Sequence, residues 1–253
     1  MLENSTEFIA SGNIFHGSIS RIMGTRLEII VSGSAKDAVM PVWNWLCIEA
    51  GRLDSMLNRF DPESELSKAN ASGGSGSVST LLKALIMTAD EYKHRTGGLF
   101  DISKGDRELD FGGFAKGYLL KELKSVLPQG GIKSAFVDFG GSSILAAGRH
   151  PYGDCWKVGV RDPFSGGVVR EIELKDQSMS TSGNSPGYSG HIINPATGMQ
   201  VEGRKMVTVI SEDPLEAEVL STAAMVAGAE ALHRLELAFP DSKFICFEED
   251  SMR

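Results

Sequence analysis

The chain has only three cysteines in 253 residues, Cys47, Cys155 and Cys246. They are odd in number, far apart and outside any CxxC pair, which excludes a disulfide scaffold and a thiolate zinc site and makes buried free thiols the expectation. Long apolar runs are missing too: none approaches the roughly 18 residues of a bilayer span, so no intrinsic membrane span is expected. Positive charge is scarce. Lys and Arg number 25 against 33 Asp and Glu, giving a net charge of −8 and, with no basic stripe to offset that field, disfavouring nucleic acid and anionic membranes as partners. Residues 1–10 carry Glu3 and Glu7 and lack a basic n-region, an apolar h-region and a lipid-attachment cysteine. The chain as it stands is therefore expected to be soluble and cytoplasmic, or periplasmic if an export signal has been removed. The five histidines, His16, His94, His150, His191 and His233, include no HExxH and no pair one helical turn apart, which argues against a histidine zinc site. Two DFG triplets lack the VAIK lysine and HRD loop of a kinase. The segments 112–117 and 131–134 miss P-loop spacing, and no GxGxxG follows a strand.

What is present reads as a globular chain: 42% apolar and 23% charged residues, with 29 glycines against 9 prolines. That length suffices for one large domain or two small lobes. Residues 14–32 read as two strands around Met23-Gly24-Thr25, with Leu27, Ile29 and Val31 alternating in the second, a hairpin expected at a sheet edge. Helical spacing covers 35–57, 80–95, 114–127 and, after the Asp213-Pro214 start signal, a run to about Val226. Residues 64–79 read as a polar surface loop. Short strands are expected at 136–139, 144–147, 156–160, 168–174, 206–210 and 244–247, whereas 181–184 and 191–198 look turn-like. Segregated strand and helix blocks predict an α+β fold, mostly antiparallel sheet packed with helices. Asp110-Phe111-Gly112-Gly113 recurs at Asp138-Phe139-Gly140-Gly141, either an echo of duplication into two similar lobes or two similar turns.

A few residues suggest chemistry. Gly112 to Tyr118 places glycines at a helix start, where exposed amides and the helix dipole favour phosphate and Lys116 adds a full charge; a strand-to-helix turn explains the glycines equally well. Glu218 and Thr222 lie one turn apart on one helix face, two hard oxygen donors suited to Mg²⁺, though such a pair is also common on ordinary helices. Thr181-Ser182-Gly183-Asn184 is unusually rich in hydroxyl and amide groups, which turn chemistry also accommodates.

In order, Met23-Gly24-Thr25, Ser64-Glu65-Leu66-Ser67 with Asn70, Thr96 to Asp101, Leu109 to Tyr118, Asp138 to Gly141, Thr181-Ser182-Gly183, His191 to Gly198 and Glu218 to Thr222 together resemble the ApbE family, the FAD:protein FMN transferases. The resemblance implies one domain of that kind over residues 1–253. It implies FAD as substrate, Mg²⁺ as cofactor, and transfer of FMN to a Ser or Thr hydroxyl of an acceptor flavoprotein with release of AMP. A flavin-binding protein without turnover, or an FAD pyrophosphatase giving FMN and AMP, are the alternatives. Carried over by position, the metal ligands fall on the Gly113 carbonyl, Glu218 and Thr222. The flavin contacts fall on Met23, Phe60, Leu99, Phe100, Asp101, Asp110 and Lys116, with Thr181 and Ser182 beside them. Lys116 and Glu218 join His191 as catalytic candidates, His191 because an imidazole titrates near neutrality and can take the proton of the attacking hydroxyl. Phe60 stands where relatives often have tyrosine, and Glu218 where they usually have aspartate, its carboxylate about 1.5 Å further from the backbone. Only seven residues separate Asp101 from Leu109, where family members typically insert several elements.

Overall fold

Phe15, Ile19 and Ile22 before the Met23–Thr25 turn and Leu27, Ile29 and Val31 after it are buried and define a strand pair, and the main sheet extends to both sides of it. The computed structural model describes residues 3–73, 76–104, 108–186 and 192–248. In chain order they form β1 (Glu3–Ile9), β2 (Ile14–Ile22), β3 (Thr25–Ser32), α1 (Lys36–Leu57), α2 (Glu65–Ala71), α3 (Thr80–Arg95), β4 (Ser103–Lys104) and β5 (Glu108–Leu109). There follow α4 (Ala115–Val126), β6 (Ala135–Phe139), β7 (Ser143–Ala147), β8 (Trp156–Arg161), β9 (Val168–Leu174), β10 (Gln177–Gly183), β11 (Lys205–Ser211), α5 (Pro214–Val226), α6 (Ala229–Ala238) and β12 (Lys243–Glu248).

Eight strands make one antiparallel sheet in the order β1-β2-β3-β6-β7-β10-β11-β12, the predicted α+β class. Alternation divides its two faces. Phe15, Ile19, Leu27, Ile29, Val137, Leu145, Val207 and Val209 share one apolar core with the helices. Ile144, Ala146, Met179, Met206 and Ile210 point the other way, into a second cluster closed by the β8–β9 hairpin through Trp156, Val160, Ile172 and Leu174. Trp156 stacks on Phe136 with centroids 5.1 Å apart, which ties the hairpin to the sheet.

The helices expected from spacing form within a residue or two of their predicted limits. Asp213 caps α5 as its Oδ1 accepts from the amides of Leu215 and Glu216, and Pro214 occupies the first turn. Four expectations need correction. The β2–β3 hairpin is not at the sheet edge, because β1 pairs outside β2. Residues 64–79 are not all loop: Ser64 accepts from the Ser67 amide and starts α2, which buries Leu66 and Ala69. The turn-like Thr181–Gly183 is the end of β10. No cysteine is fully buried: Cys47 and Cys155 are half-buried and Cys246 is exposed. The two DFGG copies differ locally, since Gly140 and Gly141 adopt positive φ and Gly112 and Gly113 do not.

Candidate active site

The site lies where α4 and α5 meet the ends of β7 and β10. Gly117 permits the close crossing: a Cβ there would stand 2.5 Å from Glu218 Cβ and 2.9 Å from the Pro214 carbonyl. Glu218 is thereby pressed into the interior, its residue only 4% exposed. A buried carboxylate is costly unless its charge and lone pairs are met, and here they are. Lys116 Nζ lies 2.9 Å from Glu218 Oε1, and Ser143 and Ser180 both donate to Oε2. Lys116 Nζ also donates to Ser142 Oγ at 2.9 Å and Ser143 Oγ at 2.8 Å. Ser221 completes the shell, bridging Ser180 at 3.1 Å and Ser182 at 2.8 Å.

These groups open into a cavity of about 720 Å³ that gathers most of the predicted site residues. Met23, Phe60, Phe100, Asp101, Asp110, Gly113, Lys116, Thr181, Ser182, Glu218 and Thr222 all line it. Leu99 does not; it packs against the helical core. His191 lies outside the described residues. The ring of Phe60, 81% exposed, has one face covered by the Arg59 guanidinium 4.5 Å from its centroid. Arg59 Nε also pairs with Asp110 Oδ2 at 3.4 Å. Asp101 pairs with Lys93 at 2.6 Å and accepts from the Ser103 amide. Phe100 is buried and stacks on Phe114.

Three features suit a phosphorylated ligand and a hard cation. No side chain caps α4; the Phe114 and Ala115 amides turn back onto the Phe111 carbonyl, and Gly112 and Gly113, which lead into the helix, bring its positive N-terminal end to the cavity lining. A Cβ on Gly113 would sit 2.8 Å from Thr222 Oγ1; the missing side chain keeps a gap between that backbone and the hydroxyl. The Gly113 carbonyl, the Thr222 hydroxyl and the Glu218 carboxylate are all hard oxygen donors, so the donor set fits Mg²⁺. Among the described residues no cluster of three or more His, Cys, Asp or Glu is placed to hold a metal.

Sequence reasoning missed Arg59, Arg161, Ser142, Ser143, Ser180 and Ser221. Arg161 lines the cavity from the β8–β9 hairpin, and its Nη1 donates to the Gly166 carbonyl. Its loop is rigidly built: the buried Asp162 accepts from the Phe164 and Ser165 amides, from Ser165 Oγ and from Arg204 Nη2. Those donors hold the Asp162 carboxyl at about 2, below the usual 3.8. Ser142 and Ser143 had a usable signal, following directly on the Gly140-Gly141 turn.

The arrangement defines a class: an α+β protein with an aromatic-walled cavity whose far end combines a helix N-terminus, a lysine and an oxygen donor set. A model of the ApbE family matches residues 23–107 and 102–241. The chain belongs to the ApbE family. It is 34% identical over 148 residues to an FAD:protein FMN transferase of Rhodobacter capsulatus, over 55% of this chain and 28% of that protein. A second FAD:protein FMN transferase, from Klebsiella pneumoniae strain 342, is 29% identical over 49% of this chain and 40% of its own length. The matches thus take in less than half of either relative. Among solved structures, the flavin transferase ApbE of Vibrio cholerae superposes with a TM-score of 0.76 at 21% identity, covering 99% of this chain and 98% of the other. The ApbE protein of Thermotoga maritima gives 0.77 at 21% identity, with 100% and 98% coverage. The likeness to these structures is one of fold.

Proposed function

We propose that this chain is a Mg²⁺-dependent FAD:protein FMN transferase. The observation that carries the reading is the meeting, in one cavity of a family member, of Phe60, Lys116 and the Gly113, Glu218 and Thr222 oxygens. The isoalloxazine stacks on the open face of Phe60, opposite Arg59, as an aromatic ring already bearing a cation on one face accepts a second plane on the other. The pyrophosphate lies toward the N-terminus of α4 and Lys116. The Gly113 carbonyl, Glu218 and Thr222 would hold Mg²⁺, which when bound neutralises charge on the pyrophosphate oxygens. Ser143 and Ser180 keep the Glu218 carboxylate in one orientation.

In the reaction the acceptor's Ser or Thr oxygen bonds to the phosphorus of the FMN half. The bond from that phosphorus to the bridging oxygen breaks, AMP leaves with the electron pair, and the hydroxyl proton passes to His191. Positioning and charge dominate such a transfer, because the protein has little covalent work to do. The full engagement of Glu218 by Lys116, Ser143 and Ser180 favours, as a second reading, a flavin-binding protein without turnover.

The test is incubation of the purified chain with FAD, Mg²⁺ and a domain carrying an acceptor threonine. Covalent flavin fluorescence on the domain with stoichiometric AMP supports the transferase. Unchanged bound FAD supports the second reading, FMN plus AMP supports a pyrophosphatase, and absence of FAD binding refutes all three.

A further inference from the structure

The cavity wall contributed by the β2–β3 turn is held in a conformation that its own residues disfavour. Arg21, Met23 and Gly24 have φ of 56°, 47° and 73°, so two of three left-handed positions fall on residues with a Cβ, where that region is sterically unfavourable. A register shift between Ser20 and Ile22 feeds the chain into this turn. Such backbone persists only where the surroundings over-determine it. One anchor is a side chain: the Met23 amide donates to Asp54 Oδ1 at 3.0 Å, across 31 residues, from the turn to α1. Among the described residues no cation lies within ion-pair distance of Asp54, and burial pushes its carboxyl up while the Met23 amide pulls it down. The amide is therefore the partner for which this half-buried acid is placed. A neighbouring turn depends on the same geometry. A Cβ on Gly140 would stand 2.8 Å from Thr25 Oγ1, and the Gly140 amide donates to the Arg26 carbonyl at 2.8 Å. Met23, Gly24, Thr25, Gly140 and Gly141 all line the cavity.

We infer that Asp54, which lies outside the cavity lining, is a positioning residue for the bound ligand: by holding the Met23 amide it fixes the left-handed turn, and through Thr25 the Gly140-Gly141 turn, in a preformed wall. The inference rests on the reading of the cavity as a flavin site. Without the acceptor at position 54 the turn relaxes toward ordinary φ, and binding must first restore it.

The experiment measures FAD affinity by fluorescence quenching with Mg²⁺ present, alongside hydrogen exchange at the Met23 and Val207 amides. Asp54→Ala is expected to weaken FAD binding about fivefold, the usual effect of removing one hydrogen bond, and to speed exchange at Met23 while Val207 on β11 stays protected. Asp54→Asn keeps an oxygen acceptor and is expected to recover most of both losses. Asp54→Glu keeps the charge but moves the acceptor by a methylene, and is expected to behave like the alanine variant; it decides the matter should the alanine variant fail to fold. Parent-like affinity in Asp54→Ala or Asp54→Glu overturns the inference. So does an asparagine variant as weak as alanine, which would assign the effect to charge. If the parent chain itself binds no FAD, the flavin reading fails, and exchange at Met23 still judges the anchor.

Discussion

Replacing Gly117 by alanine separates local propensity from packing, because the two act in opposite directions. Glycine to alanine in a helix ordinarily stabilises by up to about 1 kcal/mol, chiefly by restricting the unfolded chain. Here the new methyl would lie 2.5 Å from Glu218 Cβ, 2.9 Å from the Pro214 carbonyl and 3.0 Å from Leu215 Cα. Two of those neighbours are backbone atoms and the third is fixed on its helix, so no flexible side-chain end can yield. Restoring an ordinary contact of 3.4 Å to Glu218 Cβ from 2.5 Å requires α4 and α5 to part by about 0.9 Å. Overpacking of this kind costs about 1–3 kcal/mol or more, enough to reverse the propensity gain. Three contacts at 3.0 Å or less put the cost at the upper end of that range, so about 1–2 kcal/mol is left after the propensity gain, and with about 2–4 °C lost per kcal/mol for a chain of this size the expected Tm falls by roughly 2–8 °C. Thermal unfolding followed by circular dichroism measures it, with Gly112→Ala as the control. There the nearest atom is the Asp110 Oδ1 side-chain end at 3.2 Å, and the shift should stay within roughly 2 °C. Parting the helices also lengthens the Lys116–Glu218 pair, so FAD and Mg²⁺ affinity should fall with Tm. A Gly117→Ala variant that melts at or above the parent would refute the argument that this glycine sets the helix crossing.

Thr222→Ala should weaken Mg²⁺ binding, measured calorimetrically with FAD present, by about tenfold or more while leaving Tm nearly unchanged. Glu218→Gln should weaken it as well and also cost roughly 1–3 kcal/mol of stability, because Ser143, Ser180 and the partly exposed Lys116 lose the charged acceptor they converge on; equal stability in the two variants would contradict the buried-carboxylate account. Arg161→Gln should weaken FAD binding about fivefold and riboflavin binding hardly at all, since riboflavin carries no phosphate; equal losses would place this arginine elsewhere on the ligand. The Asp162 carboxyl, held at about 2 against 3.8 in the unfolded chain, contributes stability that is present above pH 4 and lost as pH falls toward 2. Trp156 fluorescence should report hairpin loosening in that window, and Asp162→Asn should abolish the transition. His191→Ala should lower turnover at least a hundredfold while FAD affinity holds; unaltered turnover removes His191 as the base.

Elements whose apolar residues keep a regular period were legible. α1 buries Val39, Val42, Leu46, Leu53 and Leu57, β2 alternates up to its register shift between Ser20 and Ile22, and β3 alternates over Leu27 to Val31. The failures share a cause, which is that hydropathy reports only contacts made by apolar atoms. β1 is exposed along nearly its whole length, so its pairing outside β2 left no apolar trace, and the hairpin it covers looked like an edge. α2 buries only Leu66 and Ala69; its start is encoded by the Ser64 cap, a hydrogen bond and not a hydrophobic one. Cys47 is half-buried, but burial still pushes its thiol up to about 11, which keeps it protonated and inert near neutrality.

β10 carries this reasoning into the site. In its sequence, Gln-Ser-Met-Ser-Thr-Ser-Gly, Met179 is the one apolar side chain, and Ser178, Met179 and Ser180 are buried in succession, so neither composition nor burial shows a period of two. Met179 enters the second apolar cluster, while Ser180 and Ser182 face α5 and bond to Glu218, Ser221 and each other's partners. A strand that packs hydroxyls against a helix cannot be found by seeking apolar periodicity, and a helix that buries a glutamate cannot be told from one that exposes it. The individual donors at Glu218 and Thr222 were visible because their spacing along α5 is fixed by the helix itself. The shell that makes burial of Glu218 tolerable comes from β7, β10 and α4, three segments whose meeting is a property of the sheet order. A charge buried at such a junction must be met by every segment that reaches it, so the hydroxyls at 143 and 180 follow from the fold once the carboxylate is placed. Double-mutant cycles between Ser180 and Glu218 should accordingly give a coupling of about 1–2 kcal/mol in thermal or denaturant unfolding. Additive losses at the two positions would mean that the hydroxyl fills space beside the carboxylate without sharing its charge.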